Sequence, residues 1–162
     1  MNLLSIDPGT TCCGWAYWRN RELSACGLSR TKATTVEARI RDHDFRLHWG
    51  TSIDVLVIEK PEVYQQRFWK GDPRDLIDLA MVVGGIVAQF PDVRSVKTVF
   101  PKDWKGQLPK DVSERRTLSK LSETEKQIVK DPHVLGSPTT APQGLLNNMF
   151  DALGIGLWAL QR

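Results

Sequence analysis

Hydrophobic positions near the amino terminus fall in short runs broken by turn residues. Leu3–Ile6 is an apolar run that ends in Asp7-Pro8-Gly9-Thr10-Thr11, the pattern of a strand entering a turn. Gly14–Trp18 and Glu22–Leu28 are strand-like and separated by Arg19-Asn20-Arg21. Three strands with short connections predict an antiparallel meander. Thr35 opens a helical segment predicted to reach about Trp49, with Val36, Ile40, Phe45 and Leu47 on an imperfect apolar stripe. Val55-Leu56-Val57-Ile58 is a continuous β-favouring run. Such runs mark strands buried on both faces, as parallel strands are. Glu59 follows it directly.

The second half alternates helices and strands. Pro73 sits where a helix begins, and the segment to about Phe90 is apolar almost all round. A helix of that kind is deeply buried, or half buried and half used for a partner. Arg94–Phe100 predicts another strand, Pro101 to about Val112 a basic loop, and Val112–Val129 further helical pieces. Asp131–Gly144, rich in Pro, Gly, Ser and Thr, predicts a loop. Asn147 or Asn148 is expected to cap a final helix. The expected fold is a mixed α/β sheet of five strands, the meander plus parallel strands, flanked by helices. Residues 1–162 are expected to form one domain.

Composition narrows the class. Apolar content of 41% and charged content of 25% are ordinary globular values, which removes disordered, collagen-like and coiled-coil alternatives. The net charge of +3 is mild, but Pro101–Lys130 carries eight Lys or Arg against five Asp or Glu, a bias towards a polyanion. An odd set of three cysteines (Cys12, Cys13, Cys26) argues against a disulfide framework. No basic, apolar leader opens the sequence, and no apolar run is long enough to cross a bilayer, so a cytoplasmic, reduced setting without membrane contact is expected.

The candidate chemistry lies in three distant acids. Asp7 ends the first strand and Glu59 the buried parallel one. If those strands are neighbours, both carboxylates emerge on the carboxyl edge of the sheet, where open α/β folds bind ligands. Asp151 lies early in the final helix, three residues after Asn148, so the two share a face. Taken singly, Asp7 is an ordinary turn residue, Glu59 a surface carboxylate and Asp151 a helix-dipole residue. Converging acids, by contrast, repel one another and call for a cation. Oxygen donors in an open arrangement suit Mg²⁺ or Mn²⁺, and two such ions about 4 Å apart support phosphodiester hydrolysis.

Four segments together carry a family resemblance. Ile6-Asp7-Pro8-Gly9-Thr10 with Gly14, Val57-Ile58-Glu59, Pro101-x-x-Trp104-Lys105 with Lys110-x-Val112, and Asn148-x-x-Asp151-Ala152-Leu153 occur in order over essentially the whole chain. In these the sequence resembles the RuvC-type Holliday junction resolvases, nucleases of the RNase H-like class. The resemblance implies an RNase H-like fold and a homodimer that makes paired, metal-dependent cuts in a four-way DNA junction. It implies that Asp7, Glu59 and Asp151 are metal ligands. Asn148 stands where the family usually carries an Asp or His ligand; its amide adds no charge and is a poor base. Tyr64, Arg67, Phe68, Trp69 and Lys70, an aromatic and basic stretch after Glu59, are candidates to wedge into and hold branched DNA. Lys102, Lys105 and Lys110 are candidates for phosphate contact. The Asp75–Phe90 helix is the candidate dimer surface.

Rival functions share parts of this pattern. Sugar-kinase-type ATPases also open with Asp-x-Gly-Thr-Thr, but they need a second domain and phosphate loop that 162 residues do not hold. The same sheet and acids serve RNA–DNA hybrid cleavage and DNA packaging nucleases. A module that binds branched DNA without cutting it is a further alternative, raised by Asn148. A phage origin fits the small size.

Overall fold

A computed structural model of the chain describes residues 1–46, 53–63, 72–136 and 142–162. Strands β1 (Asn2–Asp7), β2 (Cys12–Arg19) and β3 (Glu22–Arg30) form the expected meander. Helix α1 (Val36–Asp42) follows, then β4 (Val55–Glu59), α2 (Pro73–Ala88) and β5 (Ser95–Val99). The remaining elements are α3 (Pro101–Trp104), α4 (Lys110–Ser119), α5 (Glu123–Lys130), β6 (His133–Gly136) and α6 (Leu146–Ala159). The sheet order is β5-β4-β1-β2-β3-β6. The β1–β2 and β2–β3 pairs are antiparallel, while β1–β4, β4–β5 and β3–β6 are parallel.

The two-residue period of the strands sorts side chains into two cores. Leu4 and Ile6 of β1 and Leu56 and Ile58 of β4 face Val82, Val83 and Ile86 of α2. Leu3 and Val57 face the other way, against Leu153 and Leu157 of α6. By the same alternation Asp7 and Glu59 fall on the α6 side. Because Leu3 to Ile6 pair in register with Val55 to Ile58, the two acids end their strands at the same level. Helix α6 is held tightly there. The buried Ser5 hydroxyl donates to the Ala152 carbonyl at 2.8 Å and accepts from the Trp18 indole N–H at 3.1 Å. At Gly14 of β2 a Cβ would lie 1.9 Å from the Asn148 carbonyl oxygen, so only glycine permits this approach of helix to strand.

Several expectations are corrected. The sheet has six strands, not five: β6 lies inside the segment expected to be a loop. Its pairing with β3 depends on Gly27, where a Cβ would meet the His133 carbonyl oxygen at 1.8 Å, and no local pattern announces that. Thr35 is the cap of α1 as expected, its hydroxyl accepting from Ala38 N–H at 3.4 Å, but the described helix ends at Asp42. The basic loop after β5 contains a helical turn, α3, started by Pro101 and closed by Asp103 accepting from Phe100 N–H at 2.9 Å. The final helix is not capped by Asn147 or Asn148. A 3-10 turn at Gln143–Leu145 leads into it, with Leu145 at the cap, so Asn148 is its third residue and Asp151 lies in its second turn. Cys12, Cys13 and Cys26 are free and buried. No helix among the described residues is long and apolar enough to cross a membrane.

Candidate active site

Asp7 from β1, Glu59 from β4 and Asp151 from α6 lie towards the same carboxyl edge of the sheet, near enough for their charges to act on one another. Burial, then the charges of Glu59 and Asp151, push the Asp7 pKa well above the carboxylate range. Burial also raises that of Glu59, outweighing a hydrogen bond from Trp104 and the nearby charge of Lys105. Two carboxyl groups are thus held where ionisation is unfavourable without a compensating cation.

Helix α3 supplies direct partners for two of the acids. The Trp104 indole N–H donates to Glu59 Oε2 at 2.6 Å, and the Lys105 ammonium pairs with Asp151 Oδ2 at 3.2 Å. The same ammonium lies 4.8 Å from the centre of the Trp104 ring. Burial opposes the charge on Lys105, but Asp151 and then Glu59 outweigh it and hold its pKa above the usual lysine value. Trp104 reaches Glu59 because α6 has glycine beneath it: a Cβ on Gly154 would be 2.4 Å from Trp104 Cζ3. The sequence marks Trp104 only as part of the Pro101-x-x-Trp104-Lys105 segment. Its role depends on Gly154, fifty residues further on, and on the β4–β5 pairing that aims α3 at Glu59.

The other candidates divide. Lys110 lies near enough for its charge to act on Asp7. Lys102 turns to Glu62, 2.6 Å away, and lies 4.7 Å from the Phe100 ring centre. Asn148 is close to the first turn, but its amide nitrogen donates to the Cys12 carbonyl at 2.9 Å, tying α6 to the start of β2. Tyr64, Arg67, Phe68, Trp69 and Lys70 lie outside the described residues.

The donor chemistry fits a divalent metal, since hard carboxylate oxygens from three elements face one edge and repel one another. As the side chains stand, no three described His, Cys, Asp or Glu residues are grouped closely enough to hold an ion. Lys105 provides the local positive charge instead.

The mixed sheet, with acids at the ends of two adjacent parallel strands and on the closing helix, has the RNase H-like fold that the sequence resemblance implies. No protein-family model matches the chain, and no curated protein matches it in sequence. Solved structures do match. The RuvC structure of Thermus thermophilus is similar with a TM-score of 0.58 and 15% identity, covering 99% of this chain and 94% of that one. The same protein in complex with a Holliday junction substrate matches with a TM-score of 0.59, 17% identity and the same coverage. The fowlpox virus Holliday junction resolvase matches with a TM-score of 0.59 and 15% identity, over 99% of this chain and 98% of that one. The chain therefore has the fold of the Holliday junction resolvases from end to end.

Proposed function

We propose that the protein is a Holliday junction resolvase, a divalent-metal-dependent endonuclease that cuts four-way DNA junctions by paired nicks. The observation that carries this is the meeting of Asp7, Glu59 and Asp151 on one edge of a fold shared over nearly its whole length with such resolvases. Asp7, Glu59 and Asp151 would hold Mg²⁺ or Mn²⁺, as two ions in the shared site. When bound, the metal supplies a nucleophilic water and charge to stabilise the leaving oxygen. Trp104 keeps the Glu59 carboxylate turned to the site. Lys105, which pairs with Asp151, and Lys110, whose charge reaches Asp7, would stabilise negative charge developing on the scissile phosphate. Asn148 positions α6, and its amide oxygen, without a partner among the described residues, would be the remaining donor of the set.

Paired nicks require two sites, which a homodimer supplies. The exposed side of α2 carries Ile77 (60% exposed), Met81 (43%) and Gly84 at helical spacing, an apolar stripe suited to a second copy. Sedimentation showing only monomer at micromolar concentration, with and without junction DNA, would remove the dimer.

The test of function is cleavage of a synthetic four-way junction beside duplex, single-stranded and RNA–DNA hybrid controls, with Mg²⁺, Mn²⁺ or EDTA. Paired nicks confined to the junction and absent in Asp7→Asn are expected. Hybrid cleavage would keep the metal site and replace the substrate. Tight junction binding without cuts would favour the non-cleaving module that Asn148 raises as an alternative.

A further inference from the structure

Beyond the acids, a groove of about 300 Å³ runs between α4 and α6, and the active site forms one of its walls. Trp104 and Lys105 line it at the end nearest Glu59 and Asp151. Its floor is Gly154 and Leu157, and its outer rim is Trp158, which is 40% exposed. Lys105, Arg116, Lys120 and Arg162 line it, and among the described residues no Asp or Glu side chain does.

The α4 wall is unusual for a packed helix. Its inward residues are Ser113 and Thr117, 7% and 5% exposed, rather than apolar side chains. Neither hydroxyl has a hydrogen-bond partner among the described residues. Neither is among the fully buried polar atoms left without a partner, so both hydroxyls remain open to the groove. Arg116, one turn from Lys120 on the same helix, is exposed and makes no ion pair among the described residues, whereas its neighbour Arg115 is tied to Asp111 at 3.0 Å. Lys120 donates to the main-chain oxygen of Arg162 and pairs with no Asp or Glu side chain among the described residues. Lys105 and Arg162 are already paired, with Asp151 and Glu125.

Two cations, two open hydroxyls and an exposed indole within one groove match the parts of a nucleotide: phosphate oxygens and a flat base. We propose that this groove holds a nucleotide of the DNA strand continuing from the phosphate at the acids. Its phosphate sits on Arg116, Lys120, Ser113 and Thr117, and its base lies against Trp158. The inference rests on the nuclease function proposed above. It adds a contact that fixes which phosphate reaches Asp7 and Glu59.

The test measures binding of a fluorescently labelled four-way junction, without cleavage, in the Asp7→Asn background. Arg116→Ala is expected to weaken binding about tenfold and to lower the slope of log affinity against log salt by about one. Trp158→Ala is expected to weaken it by about tenfold as well, through lost stacking. Thr117→Val keeps the shape and removes a hydroxyl. It should weaken binding by about fivefold, the effect of one lost hydrogen bond, while leaving the melting temperature equal or higher. In the cutting-competent chain, Arg116→Ala should spread the nick over neighbouring phosphates.

Unchanged affinity and nick position in all three variants, with a wild type that cuts junctions, would overturn the groove and leave the resolvase function standing. Loss of affinity for a free mononucleotide in these variants, with junction binding unchanged, would overturn it too. A wild type that neither binds nor cuts junctions would bring down the proposed function, and the groove's occupant with it.

Discussion

Replacing Trp104 by Phe removes one interaction from the acid cluster while keeping an aromatic ring over Gly154. The lost contact is the 2.6 Å hydrogen bond from the indole N–H to Glu59 Oε2. A hydrogen bond to a charged group contributes about 1.5–3 kcal/mol to the charged form. At 1.36 kcal/mol per pKa unit, the Glu59 carboxyl, already raised by burial, should climb by roughly one to two units more. The change is read directly from the ¹³C shift of the labelled Glu59 carboxyl in metal-free protein across pH. It is read functionally from the acidic limb of the pH profile for junction cleavage, which should move up by the same one to two units. Divalent affinity at pH 7 should fall about tenfold or more and recover at high pH, because metal and proton compete for one carboxylate. A uniform loss of rate at every pH, with the Glu59 titration unmoved, would show that Trp104 only fills space.

Other outcomes follow from the same geometry. Gly154→Ala puts a methyl group 2.4 Å from Trp104 Cζ3 and should cost about 1–3 kcal/mol, by thermal or urea unfolding; combined with Trp104→Ala the cost should shrink, and simple additivity would refute the contact. Asp7 and Glu59 hold protons more tightly folded than unfolded, so metal-free stability should fall as pH rises from the usual carboxylate range through their raised values. Asp7→Asn should flatten that fall, stabilise the metal-free protein at neutral pH and abolish the gain from Mg²⁺; a variant that still gains would place the ion elsewhere. Asn148→Asp sets a carboxylate against the Cys12 carbonyl and should destabilise the metal-free protein by about 1–3 kcal/mol, with recovery on adding Mg²⁺; equal melting of both proteins without metal would refute it. Glu125, buried but held at a pKa of about 2 by Arg162 and two backbone N–H donors, stabilises the fold above its unfolded value, and that contribution should fade as pH drops from about 4.5 towards 2 and vanish in Glu125→Gln.

Much of the fold was legible because strands announce their sidedness. The apolar runs Leu3–Ile6 and Val55–Ile58 mark Asp7 and Glu59 as strand ends, with only the neighbouring of those strands left to the structure, and the three-residue spacing of Asn148 and Asp151 holds although the helix starts before both. What escaped depends on contacts between distant residues. Strand β6 exists because Gly27 lets the His133 backbone close in, and the partners of Glu59 and Asp151 come from a helical turn that reads as a basic loop. The sixth strand, the place of Trp104 and the Cys12 bond of Asn148 leave no periodic trace.

The three acids are separated by 52 and then 92 positions in the chain, and the last rides on α6, pinned to β1 by the single hydroxyl of Ser5. The acid cluster is thus a long-range assembly with no local precursor. A chain emerging during synthesis displays the sheet and its first two carboxylates well before the closing helix is available, and loop closure over such distances is slow. The site would then be completed in one step, when α6 docks, so a partly made chain would carry its first two carboxylates without the third.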